Sequence, residues 1–238
     1  MEILGLIPAR GGSQGIPGKN LALLRGRPLL AYTAAAAAAS TTLTRRILST
    51  DDERIAAAGR ELGLEVPFLR PAELALDDTP AFPVVAHAVA WAAAAGRPAD
   101  VVVLLQPTSP LRRAEHVDGA VRLLLETGAE TVVSVVPVPH RFSPASLLRL
   151  GADGRVGPAL PSAGGAGDVL RRQHKEQLVA RNGPAVYAAR VGPLLRRGAL
   201  YGEDTVGYPM GPLDSVDIDD REDMALCEAI LAAREAGA

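Results

Sequence analysis

The chain has 238 residues, of which 48% are hydrophobic, and its formal net charge is −2 at pH 7. This length suits one large domain over residues 1–238, and the apolar fraction is enough for a sizeable core. The near-neutral charge gives no indication of a nucleic-acid or acidic membrane partner. A single cysteine excludes an internal disulfide, and Met1-Glu2 leads into an apolar run rather than into a signal peptide. We therefore expect a soluble cytoplasmic protein.

Apolar runs typical of buried strands alternate with helical patterns as far as residue 136. The sequence predicts strands at Glu2–Pro8, Arg46–Thr50, Glu65–Leu69, Val101–Leu105 and Thr131–Val136. It predicts helices at Pro28–Ser40, Glu53–Leu62, Ala81–Ala95 and Ala114–Glu126. This βαβα order indicates an α/β fold in which helices cover both faces of a parallel sheet.

The alternation stops between Pro137 and Ala180, a proline-rich stretch with a weak mixed pattern. We interpret it as an excursion from the sheet that serves as a lid, a small subdomain or a dimer contact, because a structureless connection of this length is unusual. Regular order returns with predicted strands at Ala185–Ala189 and Asp214–Ile218 and a final helix at Arg221–Arg234. Cys227 shares a face of that helix with apolar residues and is expected to fill the core.

The stretch from Ile7 to Asn20 reads IPARGGSQGIPGKN and directly follows the first predicted strand. Ligands of open α/β sheets bind beyond the carboxyl ends of strands, and glycines with fixed cations suit phosphate. A Walker A loop is excluded because Ser13 stands at its first glycine position, and the dinucleotide fingerprint fails on spacing. The loop therefore predicts a polyphosphate site with Arg10, Ser13, Lys19 and Asn20 as candidate contacts. The alternative is a flexible surface loop rich in turn formers.

Polar side chains also follow later strands. Arg70 comes after the third strand, and the run Gln106–Arg112 (QPTSPLR) comes after the fourth. Two prolines fix this second turn, so we expect its Gln, Thr, Ser and Arg side chains to be offered at the carboxyl edge of the sheet.

Two carboxylates stand in the late segment SVDIDD. Residues i and i+2 of an extended segment point to the same side, so Asp217 and Asp219 can share one hard cation. A carboxylate pair beside a polyphosphate loop suggests Mg²⁺. In the alternative interpretation Asp219 caps the final helix, although Asp220 could do so instead, with Asp223 in the first turn.

Five motifs occur in the order and spacing of one enzyme family: IPARGGSQGIPGKN, LRPAELALDDTP, LLQPTSPLR, RNGPAVY and SVDIDD. Over nearly its whole length the chain resembles the CMP-N-acylneuraminate cytidylyltransferases, the CMP-sialic acid synthetase family. The resemblance implies a Rossmann-like, mostly parallel α/β fold of the nucleotide-diphospho-sugar transferase type, with 137–180 as a protruding dimerisation segment or part of the acceptor site. It also implies that CTP lies over the glycine loop and that the anomeric hydroxyl of a keto-sugar acid attacks the α-phosphorus, releasing pyrophosphate.

The resemblance also assigns roles to matching residues. Those implied to bind the nucleotide are Ala9, Arg10, Gly11, Ser13, Lys19, Asn20 and Arg70. Those implied to bind the acceptor are Gln106, Arg172, Asn182 and Tyr187. Lys19, Arg10 and Asp217 would act in catalysis, and Asp217 and Asp219 would hold Mg²⁺. Two alternatives stay open: Arg172 as a solvated charge in a basic run, and Tyr187 as a core residue.

The sequence departs from the family pattern at the glycine loop, where Gln14 stands at a position that is often lysine. Near the acyl pocket, Tyr201 is alone where sialate-using members often carry an aromatic pair, so a deaminated nonulosonic acid is one hypothesis for the acceptor. Two further hypotheses are transfer to another acidic acceptor, such as a Kdo-like sugar or a small acid, and a non-catalytic nucleotide-binding regulator. The expected partners are CTP, an acidic keto-sugar and a second copy of the chain, with no nucleic acid and no membrane.

Overall fold

A computed structural model describes residues 1–12, 15–160, 178–183 and 185–237. The strands within these residues are β1 Ile3–Pro8, β2 Leu23–Leu24, β3 Arg27–Pro28, β4 Arg45–Ser49, β5 Val101–Leu104, β6 Thr131–Pro137, β7 Leu148–Leu150, β8 Val156–Pro158, β9 Val179–Arg181, β10 Tyr187–Arg190 and β11 Thr205–Pro209. The helices are α1 Leu29–Ala39, α2 Glu53–Glu61, α3 Ala81–Ala94, α4 Ala114–Thr127, α5 Val191–Arg197 and α6 Arg221–Ala236. None of these helices combines the length and the apolar character that a membrane span needs.

Seven of the described strands form one sheet in the order β11–β6–β10–β5–β1–β4, with β9 paired to β6. β1 lies parallel to β4 and β5, and β11 lies parallel to β6, whereas β10 runs antiparallel to both of its neighbours. The predicted mostly parallel sheet is confirmed. Because β1, β4 and β5 are parallel, the chain leaves Pro8, Ser49 and Leu104 at one edge of the sheet, where ligands of open α/β sheets bind.

Alternate residues of the central strands face two apolar layers. In β5, Val101 and Val103 belong to the layer formed with α1, α2 and α4, whereas Val102 and Leu104 belong to the layer formed with α3 and α5. All four side chains are almost completely buried, and burying one such side chain stabilises the fold by about 1.5–3 kcal/mol. The predicted helices on both faces are confirmed, and burial on both faces explains the unbroken apolar run of β5.

A third apolar cluster lies beside α6. It joins Ile16 at the end of the glycine loop to Ile218 and to Cys227 and Ile230 of the helix. Cys227 is completely buried, and burial raises the pKa of its thiol to about 12. Its predicted role as core filler is confirmed.

Two predicted strands are wrong. Residues 65–69 form no continuous strand. Instead, Glu65 makes an isolated bridge to Ile47 of β4, and Leu69 makes another to Thr50. Residues 214–218 form no strand: Asp214 ends the short 3₁₀ turn Pro212–Asp214, and residues 215–218 pair with no strand. The N–H of Ile218 then donates to the carbonyl of Thr108 at 2.8 Å, so this segment joins the turn after β5 rather than a neighbouring strand.

Several described elements were not predicted: the short strands β2, β3, β7, β8 and β9, together with β11 and α5. β11 is the strand that lies beside β6, and its Gly207 and Pro209 dilute the strand pattern. α5 has only seven residues, and its Gly192 and Pro193 favour other structures in a sequence interpretation.

Contacts between Cα atoms divide the chain into two compact units. The larger unit is Met1–Val135 with Arg181–Ala238, and the smaller one is Val136–Ala180. Within the smaller unit, β7 and β8 pair antiparallel, from Leu148 opposite Pro158 to Leu150 opposite Val156. The predicted excursion at 137–180 falls in this smaller unit.

The carboxylate of Asp118 on α4 binds the turn that follows α1. It accepts hydrogen bonds from the hydroxyls of Ser40, Thr41 and Thr42 at 2.5, 2.7 and 2.9 Å. It also accepts from the N–H groups of Thr41 and Thr42 at 3.1 and 3.2 Å. Burial alone would raise the pKa of Asp118, but these hydrogen bonds outweigh burial and lower the pKa to about 2. An ionised, 6% exposed carboxylate therefore ties α4 to the end of α1.

We expect acid unfolding to report this carboxylate. Because folding lowers its pKa, Asp118 contributes its full stabilisation above the unfolded value of 3.8 and loses it as the pH falls towards about 2. A shift of about two units corresponds to about 2–3 kcal/mol. Urea denaturation should show that Asp118→Asn lowers the free energy of unfolding by this order at pH 7, and that its deficit relative to the parent shrinks by about half at pH 3. An equal deficit at both pH values would contradict the assignment.

Candidate functional site

A cavity of about 530 Å³ opens at the carboxyl edge of the sheet in the larger unit. Six residues that the sequence analysis predicted to belong to the site line this cavity: Arg10, Lys19, Asn20, Arg70, Gln106 and Asp219. The remaining lining residues are Pro8, Gly15, Leu74, Leu76, Asp77, Thr79, Ala81, Val84, Leu104, Pro107 and Thr108. The wall therefore has a cationic side from the glycine loop and Arg70 and an apolar side from the start of α3 and the end of β5.

The Arg10 guanidinium already has protein partners. It forms an ion pair with Asp77 at 2.7 Å and donates to the carbonyl of Leu76 at 2.9 Å. The side chain of Arg10 is 28% exposed and that of Asp77 is 56% exposed, so the pair lies at the open side of the cavity. Asn20 is buried and donates to the carbonyl of Arg10 at 2.9 Å, which fixes the backbone of the glycine loop.

Lys19 connects the glycine loop to the segment before α6. Its ammonium donates to the carbonyls of Ile218 and Asp219 at 2.7 and 3.2 Å, and lies 3.9 Å from the carboxylate of Asp219. Gly15 approaches the same segment so closely that a Cβ would overlap the carbonyl oxygen of Asp219. The first loop and the last segment before α6 therefore form one wall of the cavity.

Arg70 is the buried cation of the site, with 6% exposure. Its Nε donates to the hydroxyl of Ser49 at 3.0 Å, and its NH2 donates to the carbonyl of the same residue. Burial lowers the pKa of Arg70 to about 10, although Asp51 opposes this shift. The side chain therefore stays charged at neutral pH while it holds the end of β4.

Other predicted nucleotide contacts are backbone positions. Ala9 is buried, and its N–H donates to the carbonyl of Ser49 at 2.9 Å. The N–H of Gly11 donates to the carboxylate of Asp51 at 2.9 Å. Both groups fix the loop in this structure. Ser13, Gln14 and Arg172 lie outside the described residues.

The two predicted metal ligands occupy different surroundings. Asp217 accepts a hydrogen bond from the hydroxyl of Ser109 at 3.1 Å, whereas Asp219 has an 86% exposed side chain at the cavity. Gly183 has a φ of +57° and lies against Asp217, where a Cβ would come within 2.6 Å of the carboxylate. The metal ion that these two carboxylates would share stays a prediction.

The cap of α6 leaves Asp219 available. The carboxylate of Asp220 accepts from the N–H groups of Glu222 and Asp223 at 2.8 and 3.0 Å. Asp223 in turn accepts from the N–H groups of Asp219 and Asp220. Asp220 is therefore the N-cap, and the interpretation of Asp219 as the cap is wrong.

Asn182 and Tyr187, two predicted acceptor contacts, are buried behind the cavity. The amide of Asn182 bridges the hydroxyls of Ser134 and Ser215 at 2.7 and 2.8 Å. Tyr187 is completely buried, its hydroxyl donates to the carbonyl of Leu200, and burial raises its pKa. Tyr187 is therefore a core residue, and any direct contact of either residue with an acceptor stays a prediction.

Two residues of the site were missed or misplaced. Arg112 was expected to present its side chain at the sheet edge, but it is 3% exposed and points into the protein. No local sequence pattern signals this burial, because Arg112 binds the distant residues Thr33 and Ala185. Asp77 was given no role, although it stands with Arg70 in the motif LRPAELALDDTP.

The sequence match covers most of this architecture. Residues 4–148, which include the glycine loop, Arg70 and the turn after β5, match the family model described as cytidylyltransferase. The chain belongs to the cytidylyltransferase family. It is therefore a nucleotidyltransferase, and the predicted family resemblance is confirmed.

Individual relatives of this cytidylyltransferase match at higher coverage. A CMP-N,N'-diacetyllegionaminic acid synthase of Legionella pneumophila is 34% identical over 233 residues, which are 97% of each chain. An N-acylneuraminate cytidylyltransferase of Escherichia coli is 32% identical over 96% of this chain. The cytidylyltransferase spans 52% of the length of that second protein.

The fold is similar to that of solved nucleotide-sugar enzymes. A structure of CMP:2-keto-3-deoxy-manno-octonic acid synthetase complexed with CTP matches with a TM-score of 0.73 and 16% identity, over 98% of this chain and 100% of that chain. At this identity the likeness concerns the fold alone. The predicted nucleotide-diphospho-sugar transferase type of fold is confirmed.

Arg10 is predicted to contact the triphosphate of CTP, and its ion pair with Asp77 therefore predicts that CTP binding exchanges this carboxylate for phosphate. Asp77→Asn should then strengthen CTP binding by removing the competing carboxylate. An exposed ion pair contributes up to about 1 kcal/mol, which sets a decrease in Kd of up to about fivefold. Titration calorimetry with CTP would measure it.

The matched control is Asp78→Asn, which removes the same charge from an exposed neighbour that has no ion pair among the described residues. Its Kd should change less than that of Asp77→Asn. Equal effects, or weaker binding by Asp77→Asn, would contradict the exchange.

Proposed function

We propose that this cytidylyltransferase transfers CMP from CTP to the anomeric hydroxyl of a nonulosonic, sialic-acid-like keto-sugar acid and releases pyrophosphate. The observation that carries the proposal is the cavity itself, which brings Arg10, Lys19 and Arg70 together with Gln106 and Asp219. The Legionella pneumophila relative, whose name states a product of this kind, matches over 97% of both chains and supports the choice of acceptor class.

The residues of the cavity suit in-line nucleotidyl transfer. The acceptor oxygen forms a bond to the α-phosphorus, the bond from that phosphorus to the β-phosphate oxygen breaks, and the hydroxyl proton leaves to solvent or a base. Such reactions depend mainly on positioning and on neutralising the charge that develops on the leaving group. Arg10 and Lys19 supply fixed positive charge for the triphosphate, and Asn20 and Arg70 hold the loop and strand ends that carry them.

The donor set also suits Mg²⁺. Asp219 offers an exposed carboxylate at the cavity and Asp217 a second one that is oriented by Ser109. No cluster of three or more His, Cys, Asp or Glu side chains able to hold a metal occurs among the described residues. Mg²⁺ is usually held by one or two protein carboxylates together with water and substrate phosphates, and two carboxylates would suit it in that way. When bound, Mg²⁺ would lower the pKa of the attacking hydroxyl and neutralise phosphate charge.

The residues predicted to lie near the acceptor are compatible with more than one keto-sugar acid. Gln106 lines the cavity beyond β5. The ring of Tyr201 packs edge-on against Tyr187 and is covered by the guanidinium of Arg181, which lies 4.6 Å from the ring centroid. A single aromatic ring covered by a guanidinium offers an acyl group less apolar surface than an aromatic pair, so a deaminated acceptor is the second candidate.

Release of pyrophosphate is the test. The cytidylyltransferase should release it from CTP and Mg²⁺ with at least one of N-acetylneuraminic acid, N,N'-diacetyllegionaminic acid and a deaminated nonulosonic acid, and EDTA should stop the reaction. Kdo serves as the comparison acceptor. Asp217→Asn should abolish turnover with unchanged circular dichroism, while Asp153→Asn, an exposed carboxylate of the smaller unit, should not. Tight CTP binding without release for any acceptor would contradict the proposal.

We further propose a cytoplasmic homodimer whose contact includes 137–180. The hairpin of β7 and β8 supports this because Leu148, Leu150 and Val156 are 60%, 72% and 63% exposed. Leu150→Asp should shift the protein from dimer to monomer in sedimentation velocity, whereas Leu226→Asp on α6, another exposed leucine, should not. A monomeric parent protein would contradict the proposal.

A further inference from the structure

Arg112 is a buried cation beside the candidate site. It is 3% exposed, and its NH1 donates to the carbonyls of Gln106 and Ala185 at 3.0 and 2.8 Å. Its NH2 donates to the hydroxyl of Thr33 on α1. The side chain of Arg112 therefore links three segments: the turn after β5 through Gln106, the residues before β10 through Ala185, and α1 through Thr33.

The charge of Arg112 has no paired carboxylate close by. Its Nε is buried without a hydrogen-bond partner, and the guanidinium forms no ion pair within the described residues. Burial lowers the pKa of Arg112 to about 9, and Asp217 is the carboxylate that opposes this shift. The charge of Asp217, the predicted metal ligand, therefore partly compensates the burial of this guanidinium.

Arg112 and Asp217 are also connected through the turn itself. Arg112 holds the carbonyl of Gln106, three residues before Ser109, whose hydroxyl donates to Asp217 at 3.1 Å. Within the same turn, the carbonyl of Thr108 accepts from the N–H of Ile218 at 2.8 Å. A change in the position of Gln106 would therefore move both the cavity wall and the support of Asp217.

We propose that Arg112 is a positioning residue for nucleotidyl transfer: it fixes the turn from Gln106 to Ser109 so that Gln106 faces the acceptor and Ser109 orients Asp217. The proposal rests on the proposed function, because it assigns Gln106 to the acceptor and Asp217 to the reaction. Arg112 itself touches no substrate, since it is buried behind the turn.

The test separates positioning from stability by comparing two buried arginines. Arg45 is 5% exposed, also has one buried unpartnered nitrogen, and pairs with Glu65 at the opposite end of β4 from the cavity. Arg112→Met should lower kcat on the order of 10²-fold and raise KM for the acceptor, because small misplacements at a reacting site have effects of that size. Arg112→Lys, which keeps the charge but cannot reach all three acceptors, should recover part of kcat. Arg45→Met should lower Tm without lowering kcat more than about twofold.

The assays use pyrophosphate release with N-acetylneuraminic acid or N,N'-diacetyllegionaminic acid, whichever the parent protein turns over, and calorimetry with CTP alone. The Kd for CTP should stay within about threefold in every variant, since Arg10, Lys19 and Arg70 are unchanged. A kcat of Arg112→Met within twofold of the parent, or a loss equal to that of Arg45→Met, would overturn the proposal.

A second variant covers the case in which Arg112→Met does not fold. Thr33→Val keeps the side-chain volume and removes the hydroxyl that accepts from Arg112 and donates to the carbonyl of Gln106 at 3.4 Å. It should raise KM for the acceptor or lower kcat severalfold, and parent kinetics in both Thr33→Val and Arg112→Lys would overturn the proposal. An inactive parent protein would instead contradict the proposed function, so the two failures are distinguishable.

Discussion

The ammonium group of Lys19 joins segments that lie about 200 residues apart in the chain, through hydrogen bonds to the carbonyls of Ile218 and Asp219. The same contact brings Gly15 against Asp219, where only a residue without a Cβ fits. Next to this contact, Cys227 of α6 belongs to the same apolar cluster as Ile16 and Ile218. The cationic wall of the cavity therefore exists only when the first loop and the last helix are both in place, and the site depends on the complete larger unit.

Two buried arginines hold the opposite sides of the cavity in the same physical way. Arg70 binds the hydroxyl and carbonyl of Ser49, and Arg112 binds the carbonyls of Gln106 and Ala185. A guanidinium has five donors in a fixed plane, so it can hold several carbonyls at loop ends where no regular hydrogen-bond ladder exists. Burial removes water from each guanidinium, which disfavours its charged form and lowers its pKa. The hydrogen bonds of each arginine in turn fix the backbone at the end of a strand.

Periodicity predicted most of the fold, whereas the geometry of the site depended on contacts that have no local pattern. The apolar run of β5 and the amphipathic α4 could be recognised because burial on defined faces leaves a periodic signal. β11 could not, since it is a short edge strand whose Gly207 and Pro209 obscure that signal. Motif order identified Arg10, Lys19, Arg70 and Gln106 as neighbours in space. It could not show that Arg112 turns inward or that Asn182 bridges two serines, because both outcomes follow from packing between distant segments.

Each cation of the cavity has a protein partner, and the predicted phosphate contacts differ in whether they displace that partner. To bind phosphate, Arg10 would have to share or release Asp77, an exposed partner whose attraction water and salt already weaken. Lys19 differs, because an ammonium has three donors and the carbonyls of Ile218 and Asp219 take two of them. The third donor allows Lys19 to bind a phosphate oxygen without breaking the contact that holds the wall together. The predicted phosphate contact and the observed structural contact of Lys19 are therefore compatible, whereas those of Arg10 compete.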